Sequence, residues 1–331
     1  MRLMTNQRRA VIRTLAALLF AAPLAAFAQS SAKAVPRIAF LDPGSSDSGL
    51  YGSFLAGMKE LGYVEGKNIH IQARVANGDL ERLPALAKEL ADLKPDVILA
   101  QSTPGVRAVV ATKTMAPVIM VAVGDPVGSG FVKSLGRPGG NVTGLSILTS
   151  DVSPKLLEML KAMIPRLSRV AVLVNPANPN STVSLTNIRS AAGPMKLKIV
   201  AVEASVAGDF DKAFAAIGRQ RPDALIIPGD PLFRLNAGKI AKLALGNKLP
   251  LACTNAEIVE AGGLLSYGAS IADNYRRAAT YVDKILKGAK PVDLPVEQSA
   301  KFDLVINLRT AAELGIKIPP SLRITAEKVI E

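Results

Sequence analysis

At 331 residues, 49% hydrophobic and 20% charged, the chain can bury the cores of about two domains and leaves little room for long disorder. One cysteine excludes an intramolecular disulfide, and one histidine beside it leaves almost no ligands for zinc. The formal charge of +13 is scattered, with no basic helix interleaved with aromatics, so nucleic acid is not an expected partner.

Residues 1–28 read as a signal peptide. Arg2, Arg8, Arg9 and Arg13 come first, with no acid before Asp42, and Leu15 to Ala26 is apolar and small. Ala26-Phe27-Ala28 fits the A-x-A cleavage pattern, which makes Gln29 the first mature residue. The alternative is an uncleaved anchor, for which the run is short and interrupted by Pro23. Arg8-Arg9 raises twin-arginine export, but Ala10-Val11-Ile12 matches it poorly, so the general secretory route stays open. Removing four arginines leaves 36 − 27 = +9 for the mature chain. A soluble, periplasmic protein is expected.

From residue 37 to about 287, strand-period and helix-period segments alternate, which predicts an α/β chain with parallel sheets. Arg37 to Leu41 is the first predicted strand, followed by a hydroxyl-rich loop and a helix from about Ser48 to Leu61. Asn68 to Val75 is the second strand and carries His70, which lines one of its faces. Asp79 can cap a helix running to Leu93, with Leu83, Leu86, Leu90 and Leu93 on one side. Asp96 to Ala100 is the third strand. It ends in Gln101-Ser102-Thr103-Pro104-Gly105, a helix start that either holds an anion or is simply capped by its hydroxyls.

Val118 to Val123 is an apolar run typical of a strand buried on both faces. Gly124-Asp125-Pro126 ends it, a short helix is expected from Val127 to Leu135, and Asn141 to Ser146 starts another strand. Asp125 thus follows the carboxyl end of a buried strand, where open α/β sheets bind ligands. It either contacts a ligand or caps the turn.

A second unit of the same grammar begins near Ser153, with a helix to Met163. Its strands are Arg169 to Val174, Leu197 to Val202, Ala224 to Ile227 and Leu249 to Thr254; helices fall at Asp209 to Ile217 and Arg234 to Leu245. Polar loops again follow the strand ends: Asn175 to Asn180, Pro228 to Pro231, and Asn255 to Glu257. Cys253, inside the last of these strands, reads as a small buried hydrophobe. Gly262 to Gly268 is a further strand, and Ile271 to Leu286 a helix. Residues 291–308 look extended, Thr310 to Leu314 helical, and the segment after Pro319-Pro320 reads as a plain tail.

Several segments carry a resemblance. They are Leu61-Gly62-Tyr63-Val64-Glu65-Gly66-Lys67-Asn68, Lys94-Pro95-Asp96-Val97-Ile98 and Asp125-Pro126-Val127-Gly128-Ser129-Gly130. Arg137-Pro138-Gly139-Gly140-Asn141-Val142-Thr143-Gly144, residues 260–268 and Ile318-Pro319-Pro320-Ser321-Leu322 follow in order. In that order the chain resembles the solute-binding subunits of ABC importers with the type I periplasmic binding fold. The resemblance implies two doubly wound parallel-sheet lobes around a central cleft, joined by three crossings. Lobe 1 would be 36–146 plus 269–290, and lobe 2 147–268 plus 291–331. It implies a small-molecule ligand in the cleft, a membrane permease as partner, a monomer, no cofactor and no enzymatic activity. Relatives that bind tryptophan or phenylalanine make an aromatic amino acid the favoured ligand.

For such a ligand, Asp125 and Asp230 can accept from an ammonium group, while Ser102, Thr103 and nearby N–H groups can donate to a carboxylate. Ser45, Asn175 and Asn255 are further cleft candidates, and Tyr267 either lines the pocket or packs in the core. No metal site is expected. An exported sensor presenting its ligand to a membrane receptor would use the same cleft. A repressor's sensor domain would need a DNA-binding helix pair where this chain has the signal segment. A hydrolase would need a G-x-S-x-G elbow, which the chain lacks.

Overall fold

The computed structural model describes residues 35–45, 49–147, 149–299 and 301–331. The expected signal peptide lies outside them. Residues 36–331 carry two sheets, each flanked by helices on both faces.

The first sheet is built from β1 (Arg37–Asp42), β2 (His70–Val75), β3 (Val97–Gln101), β4 (Val118–Val123) and β5 (Val142–Ser146), all parallel. Its order is β2-β1-β3-β4-β5. The helices α1 (Leu50–Glu60), α2 (Leu83–Asp92) and α3 (Ser102–Ala111) make the crossovers between successive strands. Continuous runs such as Val-Ile-Met-Val-Ala-Val in β4 follow from this layering, because a parallel strand under helices has no wet face. One core packs Leu83, Leu86, Leu90 and Val109 against one face, and another packs Phe40, Phe54, Met58 and Tyr275 against the other.

The second sheet contains β6 (Arg169–Val174), β7 (Lys198–Glu203), β8 (Ala224–Ile227), β9 (Leu251–Cys253) and β10 (Leu265–Ala269). The helices between them are α4 (Thr149–Met163, preceding β6), α5 (Pro179–Ala192), α6 (Phe210–Arg219), α7 (Pro231–Leu235), α8 (Ala237–Gly246) and α9 (Ala256–Glu260). The chain then returns to the first lobe, where α10 (Ile271–Leu286) packs on α1 and β4. There β11 (Glu297–Gln298) pairs with β5, although residues 291–298 were assigned to the second lobe from the sequence. Apolar alternation is too short to place a two-residue strand, so the pairing partner decides. The last crossing follows it, and β12 (Phe302–Asn307) adds antiparallel to β10.

Three local expectations are corrected. No helix forms over 127–135. The segment is a chain of turns in which Gly130 takes φ 75°, and Phe131 and Val132 are buried beside it. The helix expected from Arg234 to Leu245 is two helices broken at Asn236, and the first starts earlier, at Pro231. Asp230 caps it by accepting from the Leu232 N–H, with proline at the first helical position. The short helix expected near Thr310 forms as α11 (Leu308–Glu313), but the segment read as a plain tail forms α12 (Pro320–Thr325) and β13 (Lys328–Ile330), which extends the sheet by pairing with β12.

Candidate functional site

The carboxyl ends of β3 and β4 face those of β8, β9 and β10 across an interlobe cavity. Apolar side chains supply much of its wall: Ala122, Ile147, Val152, Ile271 and Phe302. Of the charged residues, Asp230 and Arg234 line it.

From the first lobe come Gln101, Ser102 and Thr103, where β3 turns directly into α3. Ser102 sits at φ 61° and Ala122, in the paired strand, at φ 58°. Non-glycine residues hold that conformation at a cost of order 1–3 kcal/mol, and such strain clusters at binding sites. The β4–β5 register shifts between Met120 and Val123, which re-aims the chain at the cavity. The buried Gln101 Oε1 and Ser102 Oγ have no hydrogen-bond partner among the described residues. The first N–H groups of α3 add unsatisfied donors beside them.

From the second lobe comes a connected amide–carboxylate network. Asn178 Nδ2 donates to Asp230 Oδ2 at 2.8 Å, and Asn175 Nδ2 donates to both Asp230 oxygens at 3.2 and 3.3 Å. The Leu232 N–H reaches Oδ1 at 2.8 Å. Burial pushes the Asp230 carboxyl above the ordinary carboxylate range, against the pull of its Asn178 and Asn175 bonds. Asn255 lines the wall after β9.

The structure thus brings Ser102, Thr103, Asp230 and Asn255 to one cavity. Asn175 stands behind it, fully buried, orienting Asp230. Tyr267 stacks at 5.7 Å on Phe302, and Phe302 is the ring that lines the cavity. Ser45 lies half-buried in the loop after β1, outside the lining residues. Asp125 lies outside them too, and its Oδ1 accepts from the Gly128 N–H at 2.7 Å in the turn after β4. His70 is exposed at the start of β2, and Cys253 is fully buried. Gln101, Asn178 and Arg234 were not singled out from the sequence. Asn178 stood in a polar strand-end loop and was findable, whereas Arg234 was read as the start of a helix.

Residues 38–330 match the ABC transporter substrate binding protein family. The chain belongs to that family. This substrate-binding protein is 29% identical over 265 residues to a tyrosine-binding protein of Clostridioides difficile strain R20291, covering 80% of this chain and 76% of that one. It is 28% identical to an ABC domain from Streptococcus pneumonia solved in complex with L-Trp, covering 88% of this chain and all of that one at a TM-score of 0.81. Against a ligand-free, open substrate-binding protein with adhesive properties from Clostridium difficile, the identity is 26% and the TM-score 0.65, covering 89% and 99%.

Proposed function

We propose that this substrate-binding protein takes a free α-amino acid with a large apolar or aromatic side chain into the interlobe cavity and delivers it to an ABC importer permease. The observation that carries the reading is that Ser102 Oγ and Gln101 Oε1, neighbours on the cavity wall, are both buried without a hydrogen-bond partner among the described residues. Buried polar atoms without partners are costly, and a zwitterion supplies both kinds of partner. Its carboxylate would take donors from Ser102, Thr103 and the start of α3, where the helix dipole favours an anion. Its ammonium would face Gln101 Oε1 and Asp230. Ile147, Val152, Ile271 and Phe302 would enclose the side chain.

The tyrosine-binding relative and the L-Trp complex support an aromatic side chain. The N-terminal segment supports export, with the two lobes, divided near residues 147, 270 and 300, free to close on ligand. A thermal-shift screen of the twenty amino acids, followed by calorimetric titration, tests the reading, because a ligand that prefers the native state raises the melting temperature. Tyrosine, tryptophan or phenylalanine should give the largest shifts. A panel in which no amino acid shifts the transition, while a sugar or inorganic anion does, would sink it.

A further inference from the structure

Helix α7 brings the second lobe close against the loops after β1 and β2 of the first. The Arg234 side chain is 6% exposed, with Nη1 3.9 Å from Glu257 Oε1 of its own lobe. Its buried Nη2 has no hydrogen-bond partner among the described residues. Across the cleft, Gly44 follows β1. A Cβ on Gly44 would fall 2.6 Å from Arg234 Nη2 and 3.1 Å from Asp42 Oδ1. Guanidinium and carboxylate therefore flank the place of the missing Gly44 side chain from opposite lobes, close to each other but not hydrogen-bonded. Asp42 is itself 1% exposed and accepts from the Gly44 N–H at 2.6 Å. Next to Arg234, Leu235 Cδ2 lies 2.9 Å from where a Cβ on Gly78 would stand, in the loop after β2. The contact thus has a polar and an apolar half. Tyr275 on α10 is fully buried beside this region, and its hydroxyl has no hydrogen-bond partner among the described residues.

We propose that Arg234 is a latch, a positioning residue whose guanidinium on the second lobe holds the Asp42–Gly44 loop of the first and so biases the cleft toward closure. The attraction between two buried charges is strong only while water is excluded. Opening the cleft rehydrates both, so the contact acts as a two-state element rather than a graded one. Removing the guanidinium takes away the nearby positive charge that helps offset the burial of Asp42, which favours the open arrangement in which water reaches the carboxylate. The latch slows escape of whatever the cavity holds, and its effect belongs in the dissociation rate more than in the association rate. This part rests on the proposed binding role; the bias toward closure does not.

Spin labels on Met115→Cys in the first lobe and Ile324→Cys in the second read the interlobe distance by pulsed dipolar spectroscopy. Those positions are 90% and 83% exposed, and the native Cys253 is buried beyond labelling. Ligand-free protein with Arg234 intact should show a short-distance population. Arg234→Ala should deplete it, and Arg234→Lys should restore part of it. Gly44→Leu gives an independent check: its side chain would occupy the place taken by the Arg234 guanidinium, so it should deplete the short-distance population as Arg234→Ala does. With L-tyrosine as the probe, Arg234→Ala should raise the dissociation rate roughly tenfold with a smaller change in association. Identical distance distributions in all the variants, or no short-distance population with Arg234 intact, would overturn the latch. Absence of L-tyrosine binding would overturn the amino-acid reading and leave the distance result to decide the latch by itself.

Discussion

Asn178 is clamped between two loops: its Nδ2 donates to Asp230 Oδ2 at 2.8 Å while its Oδ1 accepts from the Asn180 N–H at 3.1 Å. The same side chain therefore caps α5 and orients the carboxylate that caps α7. Asn178→Ala removes both bonds at once and leaves Asp230 short of a donor. The expected cost is roughly 1–3 kcal/mol of stability, with weaker amino-acid binding as Asp230 reorients. Chemical denaturation and calorimetry on the same variant check both halves. Unchanged stability would show that the clamp is not needed to hold these loops.

Asp125 and Asp230 separate cleanly. Asp125 caps a turn outside the cavity, so Asp125→Ala should lower stability by about 1 kcal/mol and leave affinity intact. Asp230→Asn keeps the shape but removes the charge, and should weaken binding of an amino acid about tenfold or more. The opposite pattern would return Asp125 to the site, as its place after β4 led the sequence to suggest.

Ser102→Ala tests the carboxylate end. If Ser102 Oγ donates to the ligand, its loss should cost about 1 kcal/mol, or five- to tenfold in affinity. The methyl ester of the best amino acid should lose affinity for the intact protein and should be less sensitive to the variant. Equal sensitivity of acid and ester would place the carboxylate elsewhere.

Asp223 sets an acid limit at the start of the second sheet. It accepts from the Ser168 N–H, the Ser168 hydroxyl and the Arg169 N–H at 2.8, 2.9 and 2.8 Å. Burial alone would raise its carboxyl, but the Arg169 and Ser168 bonds outweigh that and hold it below the ordinary value of 3.8. A carboxyl depressed in the folded state stabilises above its unfolded pKa, and that contribution is lost as pH falls through the lower folded value. Asp223→Asn should therefore melt lower than the parent at pH 7, with the gap closing below about pH 4. A gap independent of pH would assign the loss to geometry rather than ionisation.

Export is tested by mass. Cleavage after Ala28 predicts a mature chain starting at Gln29, recoverable from a periplasmic extract. A full-length, membrane-associated product would count for the anchor instead.

The sequence by itself determined the layered α/β class and the polar strand ends. Buried parallel strands must be apolar throughout, as Val118 to Val123 is, and loops at their carboxyl ends must be polar to face a cleft. Arg169–Val174, Ala224–Ile227 and Ile271–Leu286 end at the residues the pattern indicated, because turn formers and caps bound them locally. Only the tertiary structure decided which polar ends meet. Asp125 and Asp230 occupy equivalent places in the grammar, yet one carboxylate is spent on its own turn and the other opens onto the cavity. The two-residue β11, the terminal β13 and the cross-lobe approach of Arg234 to Gly44 were likewise beyond local reading. Their stabilising partners lie far along the chain, and neither periodicity nor propensity carries information about a contact made at that distance.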